Sequence, residues 1–114
     1  MLRQAQHDSN VVGMKIKAIT SYLESIAPLS LQEEYDNSGL LIGREENEVS
    51  GVLICLDCTE EVLDEAIKKN CSLIIAHHPI IFKGLKKITG KNYVERVVEK
   101  AIRNSISIYA IHTN

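Results

Sequence analysis

The sequence has few cysteines, no long apolar run and no excess of one charge, and each of these absences excludes a class of protein. The net charge of −2 argues against nucleic acid as a partner, because phosphate binding needs a clustered basic face. No apolar run approaches the roughly 18 residues that would predict a membrane span. The three cysteines do not form a disulfide framework, and residues 1–13 lack the apolar segment of a secretory signal. We therefore expect a cytoplasmic protein with no membrane partner.

What is present is the composition of an ordinary globular domain. Apolar residues make up 45% of the 114 residues and charged residues 25%, which is enough for one hydrophobic core. The helical periodicity begins after Met14. We expect residues 1–13 to be a disordered extension and residues 14–114 to form a single α/β domain.

The hydrophobic pattern predicts alternating strands and helices. Apolar residues at spacings of three and four predict an amphipathic helix over residues 15–27, ended by Pro28. The apolar segments 52–56, 73–76 and 106–111 predict three strands, the first of them covered on both faces. Two predicted helices lie between these strands and begin at the capping residues Thr59 and Asn92. This order predicts a parallel-sheet core with flanking helices (βαβαβ) and right-handed crossovers.

Histidines follow two of the predicted strands. Asp57 comes after the first strand, His77 and His78 after the second, and His112 after the third. Ligands of an open parallel sheet bind beyond the carboxyl ends of its strands, and imidazole is the commonest transition-metal ligand. Although a histidine pair can also be structural, this placement favours a metal site centred on His77 and His78.

The other polar residues near this edge have less specific interpretations. His112 is a weak candidate for the catalytic residue: it could be a third ligand, a group that orients a ligand, a general acid or base, or a structural residue. Asp57 could ligate a metal or orient a histidine, but turn hydrogen bonds are favoured, as they are for Asp36. Lys86 could bind a substrate phosphate and Phe82 could line the pocket. A surface lysine and a core phenylalanine are the favoured interpretations of these two residues.

Two further patterns have ordinary explanations. Cys55 and Cys58 have the C-x-x-C spacing of zinc and redox sites. Because Cys55 lies within an apolar run, we favour buried thiols. The basic stretch Lys83–Lys91 lacks interleaved aromatic residues, so we expect a solvated loop.

Four motifs occur in a fixed order along the chain. They are Asp36-Asn37-Ser38-Gly39-Leu40, Leu56-Asp57-Cys58-Thr59, His77-His78-Pro79 with Phe82 and Lys86, and Tyr109-Ala110-Ile111-His112-Thr113-Asn114. With these motifs, the sequence from Met14 to Asn114 resembles the N-terminal part of the NIF-three-like proteins (NGG-one-interacting factor three), often named GTP cyclohydrolase I type 2 homologues. Tyr35 stands where the family often has tryptophan.

The resemblance implies a NIF-three-like α/β fold, of which this chain is the N-terminal portion, with a dinuclear metal centre. It implies that His77 and His78 each bind one of two divalent ions, such as zinc, manganese or iron. In the family an aspartate ligand follows the His-Thr-Asn motif, and histidine and glutamate ligands come from a C-terminal half. These positions lie beyond Asn114, so we expect a truncated site. The family also implies assembly into a homohexamer.

Two functions follow from the resemblance as expectations. One is a metal-dependent hydrolase, cyclohydrolase-like or phosphoester-cleaving, that acts on a small nucleotide or phosphate ester. In that case we expect the 114-residue chain alone to be inactive. The alternative is a metal-binding or protein-interaction module without catalysis.

Overall fold

A five-stranded mixed sheet forms the centre of the fold. The computed structural model describes residues 3–6, as backbone, and residues 11–114. The helices are α1 (Ile16–Ile26), α2 (Glu60–Lys68) and α3 (Tyr93–Arg103), with a short 3-10 helix at Leu29–Leu31. The strands are β1 (Arg3–Gln6), β2 (Gly39–Ile42), β3 (Val52–Cys55), β4 (Leu73–Ala76) and β5 (Ser107–Ala110), in the sheet order β1-β3-β4-β5-β2.

The parallel core is the one that the hydrophobic pattern predicts. Strands β3, β4 and β5 are parallel neighbours, and α2 and α3 are their crossovers. The hydroxyl of Thr59 accepts a hydrogen bond from the Val62 N–H at 3.3 Å, which caps α2. The side chain of Asn92 accepts one from the Glu95 N–H at 2.9 Å, which caps α3. Caps of this kind stabilise a helix by about 1 kcal/mol, so the two predicted helix starts are confirmed.

Antiparallel strands close both edges of the parallel core. Strand β2 pairs with β5, and β1 pairs with β3. We expected residues 1–13 to be disordered, and the strand at residues 3–6 differs from that expectation. Without β1, the outer backbone of β3 would present unpaired N–H and C=O groups, which a neighbouring strand satisfies. Residues 1, 2 and 7–10, which include His7, lie outside the described residues, so the expectation of disorder there stays a prediction.

The two faces of the sheet are covered to different extents. On one face α2 and α3 bury Leu53, Ile74 and Ile108 completely. Each such side chain contributes about 1.5–3 kcal/mol on burial. On the other face Ile16 of α1 packs over the amino-terminal half of the sheet. Toward the carboxyl ends of the strands that face is covered unevenly, since Tyr109 of β5 is buried whereas Ile54 of β3 is 46% exposed. The expected double coverage of the first strand is therefore only partly correct.

The cysteines are buried, as the favoured interpretation predicts. Cys55, Cys58 and Cys71 form no disulfide with one another. Burial, together with the neighbouring Cys55, raises the pKa of the Cys58 thiol far above its usual value. A thiol that stays protonated is a poor nucleophile and a poor metal ligand. In the described part of the chain, no helix is long and apolar enough to cross a membrane.

Candidate metal centre

Three histidine rings meet at the carboxyl edge of the parallel strands. The ring centroids of His77 and His78 are 4.8 Å apart. His112 lies 5.1 Å from His77 and 5.5 Å from His78 by the same measure. One ring nitrogen from each histidine lies within 4.8 Å of the others. The structure thus brings together the three histidines that the sequence placed at this edge.

The adjacent rings share one edge because β4 ends just before them. Regular strand geometry ends at Ala76 and a bend follows. The N–H of His77 still donates to the carbonyl of Cys55 at 3.1 Å, and the N–H of His78 donates to the carbonyl of Leu56 at 2.9 Å. The backbone therefore stays attached to the neighbouring strand, while the bend releases the two side chains from the strict alternation of a strand.

The first two histidines are held in the same tautomer by different acceptors. Nδ1 of His77 lies 3.0 Å from the carbonyl oxygen of Ile111. Nδ1 of His78 lies 2.7 Å from Oδ1 of Asp57. Carbonyl and carboxylate oxygens only accept hydrogen bonds, so Nδ1 is the donor in both rings. In the neutral rings, this leaves the lone pair on Nε2, the arrangement that metal-binding histidines use.

The role of Asp57 differs from the favoured interpretation. We expected turn hydrogen bonds, but its carboxylate accepts from the ring of His78. The side chains of Asp57 and His78 are each about half exposed. Solvent therefore weakens their electrostatic attraction, and the contact acts mainly to orient the imidazole.

His112 is oriented by a buried carboxylate that the sequence pattern did not place. Its Nδ1 lies 3.1 Å from Oδ1 of Asp36, whose side chain is 0% exposed. The backbone N–H and hydroxyl of Thr113 and the N–H of Asn37 also donate to this carboxylate. Burial alone would raise the pKa of Asp36, but these hydrogen bonds outweigh burial and hold the pKa well below its usual range. Asp36 is therefore an ionised acceptor, and the expected turn is only part of its role.

Two aromatic rings border the cluster. The ring of Phe82 lies 6.4 Å from that of His112, nearly perpendicular to it. The ring of Tyr35 lies 6.3 Å from that of Phe82. Phe82 is exposed, so the expectation of a core phenylalanine is wrong. Lys86 is exposed, as expected for a surface lysine.

The comparisons with known proteins identify the family. The model of the family described as Duf34/NIF3 (NGG1p interacting factor 3) matches residues 14–114. The chain belongs to the DUF34/NIF3 family. A Clostridium acetobutylicum protein named GTP cyclohydrolase 1 type 2 homolog is 45% identical over 103 residues, which are 90% of this chain and 38% of that protein.

Solved structures of similar proteins have the same fold. Staphylococcus aureus protein SA1388 has a TM-score of 0.84 at 46% identity, over 88% of this chain and 32% of the other. Reduced HcgD from Methanocaldococcus jannaschii has a TM-score of 0.79 at 31% identity, over 90% of this chain and 41% of the other. The chain spans only 27% to 38% of the length of the curated relatives that it matches. The expected α/β fold is confirmed.

Proposed function

We propose that His77 and His78 are ligands of a divalent-metal centre, one imidazole for each of two ions. The main support is the convergence of three rings whose Nδ1 atoms are all held by acceptors. Each Nε2 then has its lone pair available without any change of tautomer. Zinc, manganese and iron all accept imidazole ligands.

The spacing and the donor set are compatible with this proposal. A zinc ion lies about 2.0–2.1 Å from each histidine nitrogen, so two ligands of one ion are at most about 4.2 Å apart. One ring nitrogen from each of the three histidines lies within 4.8 Å of the others, a spacing compatible with ligands of one ion or of two adjacent ions. Two neighbouring cations also need carboxylates to balance their charge. The described cluster contains only imidazoles, so we propose that further ligands belong to the rest of a longer protein.

The reaction that we propose is hydrolysis, either cyclohydrolase-like or cleavage of a phosphate ester, on a small nucleotide-like substrate. Divalent ions supply substrate polarisation and water activation in such sites. The role of this chain is to hold the imidazoles in position. His112 is the candidate proton carrier, because Asp36 fixes its ring beside His77 and His78. We propose that the complete protein is a cytoplasmic homohexamer and that the 114-residue chain alone does not turn over.

Zinc binding tests the centre directly. The equilibrium zinc affinity of the unmodified chain, of His77→Ala/His78→Ala and of the control His7→Ala would be measured by competition with a chromophoric chelator. We expect the unmodified chain and the control to bind zinc more tightly than the double variant. Equal zinc affinity in all three chains would contradict the metal centre.

A second candidate is a binding module without catalysis, and one observation favours it. An apolar groove of about 450 Å³ runs beside His77 and is lined by Ile54, Leu56, Ile75 and Ile111. Exposed apolar grooves of this kind are typical of interaction surfaces. Zinc-dependent hydrolysis of nucleotides by a full-length relative, abolished when its histidine pair is replaced, would favour the enzyme. Metal binding without any turnover would favour the module.

A further inference from the structure

Two exposed aromatic rings, those of Tyr35 and Phe82, lie close together beside the histidine cluster. Tyr35 is 62% exposed and Phe82 is 44% exposed. Their ring centroids are 6.3 Å apart with planes tilted by 34°. Phe82 in turn lies 6.4 Å from His112. Aromatic side chains bury much apolar area when they fold into a core, so a pair left in solvent at the rim of a site suggests a ligand.

The backbone on either side of the pair is anchored, so the rings are held in place rather than free to collapse. Tyr35 directly precedes Asp36, whose buried carboxylate binds the segment after β5. The side-chain amide of Asn37 donates to the carbonyl of Ile81 at 2.6 Å. That bond joins the segment carrying Tyr35 to the segment carrying Phe82. A binding surface ordered in advance loses less entropy when a ligand binds.

The loop that carries Phe82 is strongly basic. Residues 79–91 contain four lysines and no aspartate or glutamate. All four lysines are exposed, and none is in an ion pair with a described residue. They are Lys83, Lys86, Lys87 and Lys91.

One end of the loop is fixed by Glu95 of α3. Its carboxylate accepts from the N–H of Thr89 at 2.9 Å and from the N–H of Lys91 at 3.3 Å. The loop therefore presents positive charge from a tethered backbone, and positive charge of this kind attracts phosphate groups.

We propose that Tyr35 and Phe82 form a stacking platform for the planar ring of an aromatic phosphate ligand, with its phosphate on the lysines of residues 79–91. The ligand would extend from the platform past His112 toward His77 and His78. This assignment rests on the proposed function only in taking the ligand to be the substrate of the metal centre. The stacking itself requires no metal.

Guanosine monophosphate and ribose 5-phosphate are the probes, because they differ by the aromatic base. Their affinities for the metal-free chain, prepared with a chelator, would be measured by calorimetry at one fixed salt concentration. We expect the unmodified chain to bind guanosine monophosphate about tenfold more tightly than ribose 5-phosphate, the order of effect expected of a stacked base.

Leucine variants locate the platform. We expect Tyr35→Leu and Phe82→Leu each to weaken guanosine monophosphate binding by about tenfold, with ribose 5-phosphate unchanged. The matched control is Tyr22→Leu, since Tyr22 on α1 is 65% exposed and makes no ring contact with Tyr35 or Phe82. It should alter neither affinity. The double variant Lys86→Gln/Lys87→Gln should weaken the binding of both probes by the same factor.

Three results would overturn the platform: equal binding of the two probes, unchanged binding in both leucine variants, or no binding of guanosine monophosphate at millimolar concentration. These results are separable from the metal centre. A chain that shows the expected stacking but retains no zinc contradicts the proposed function and leaves the platform in place. A chain that retains zinc through His77 and His78 but shows no stacking contradicts the platform alone.

Discussion

Nδ1 of His112 lies 3.1 Å from Oδ1 of Asp36, although 76 positions separate the two residues in the sequence. The contact joins the segment after the last parallel strand to the segment before β2. It also determines which nitrogen of His112 faces the other two histidines. One buried carboxylate therefore serves both the fold and the candidate site.

Replacing that carboxylate should destabilise the protein. Asp36→Asn replaces the carboxylate that accepts hydrogen bonds from His112 and Thr113 by a neutral amide. The buried NH₂ group of that amide then faces hydrogen-bond donors of His112 and Thr113 and finds no acceptor there. We expect the free energy of unfolding to fall by about 2 kcal/mol or more, the range for hydrogen bonds to a charged group. Urea denaturation followed by circular dichroism measures it.

The control is an exposed carboxylate of the same type. Asp64 pairs with Lys100 at the surface, at 2.6 Å, and its side chain is mostly exposed. Asp64→Asn should cost less than about 1 kcal/mol, as surface ion pairs do. If both variants lose the same stability, the buried carboxylate of Asp36 does not hold the two segments together.

Acid should destabilise the folded chain, with Asp36 contributing to the effect. Hydrogen bonds lower the pKa of Asp36 and of Glu95 in the folded state. A carboxyl whose pKa is lowered on folding stabilises the folded state at any pH above the unfolded pKa of about 4. That stabilisation is lost as the pH falls toward the pKa of the folded state. We expect unfolding free energy to decline below about pH 5. The decline should be smaller in Asp36→Asn, and an equal decline would contradict this account.

Removing the acceptor of His78 should weaken metal binding while leaving the ligand in place. Asp57→Ala lets the ring rotate and change tautomer, and losing such a partner typically costs 10- to 100-fold in affinity. Because Asp57 is half exposed, we expect a loss near tenfold in zinc affinity, measured by competition with a chromophoric chelator. Asp57→Asn keeps a neutral acceptor for the His78 ring, so its zinc affinity should lie between that of Asp57→Ala and that of the unmodified chain. Unchanged affinity in both variants would mean that Asp57 has no orienting role.

A glycine next to β2 should be intolerant of any side chain. Gly43 has a φ of 113°, and a Cβ there would overlap the side chain of Ser107. Gly43→Ala should therefore destabilise the chain by about 2 kcal/mol or more, through backbone strain and overpacking together. The matched control is Gly84→Ala, where a Cβ meets nothing within 4 Å. A thermal melt in which both variants match the unmodified chain would contradict this prediction.

Local patterns predicted the parallel core well because they report short-range physics. The apolar runs of β3, β4 and β5 and the caps Thr59 and Asn92 are each visible within about ten residues of sequence. The ends of the parallel strands then place the histidines at one edge. The pairing of the edge strands was not predicted, since β2 with β5 and β1 with β3 join segments far apart in the chain.

The sequence by itself determined the alternation of strands and helices and the gathering of His77, His78 and His112 beyond the strand ends, because hydrophobic period and strand direction are local properties. Only the tertiary structure decided the partners of those histidines. Asp36 and Tyr35 reach the site because β2 lies beside β5, and Phe82 is exposed because its loop runs along the rim. Contacts of this kind depend on how distant segments pack, and residue spacing carries no record of that packing.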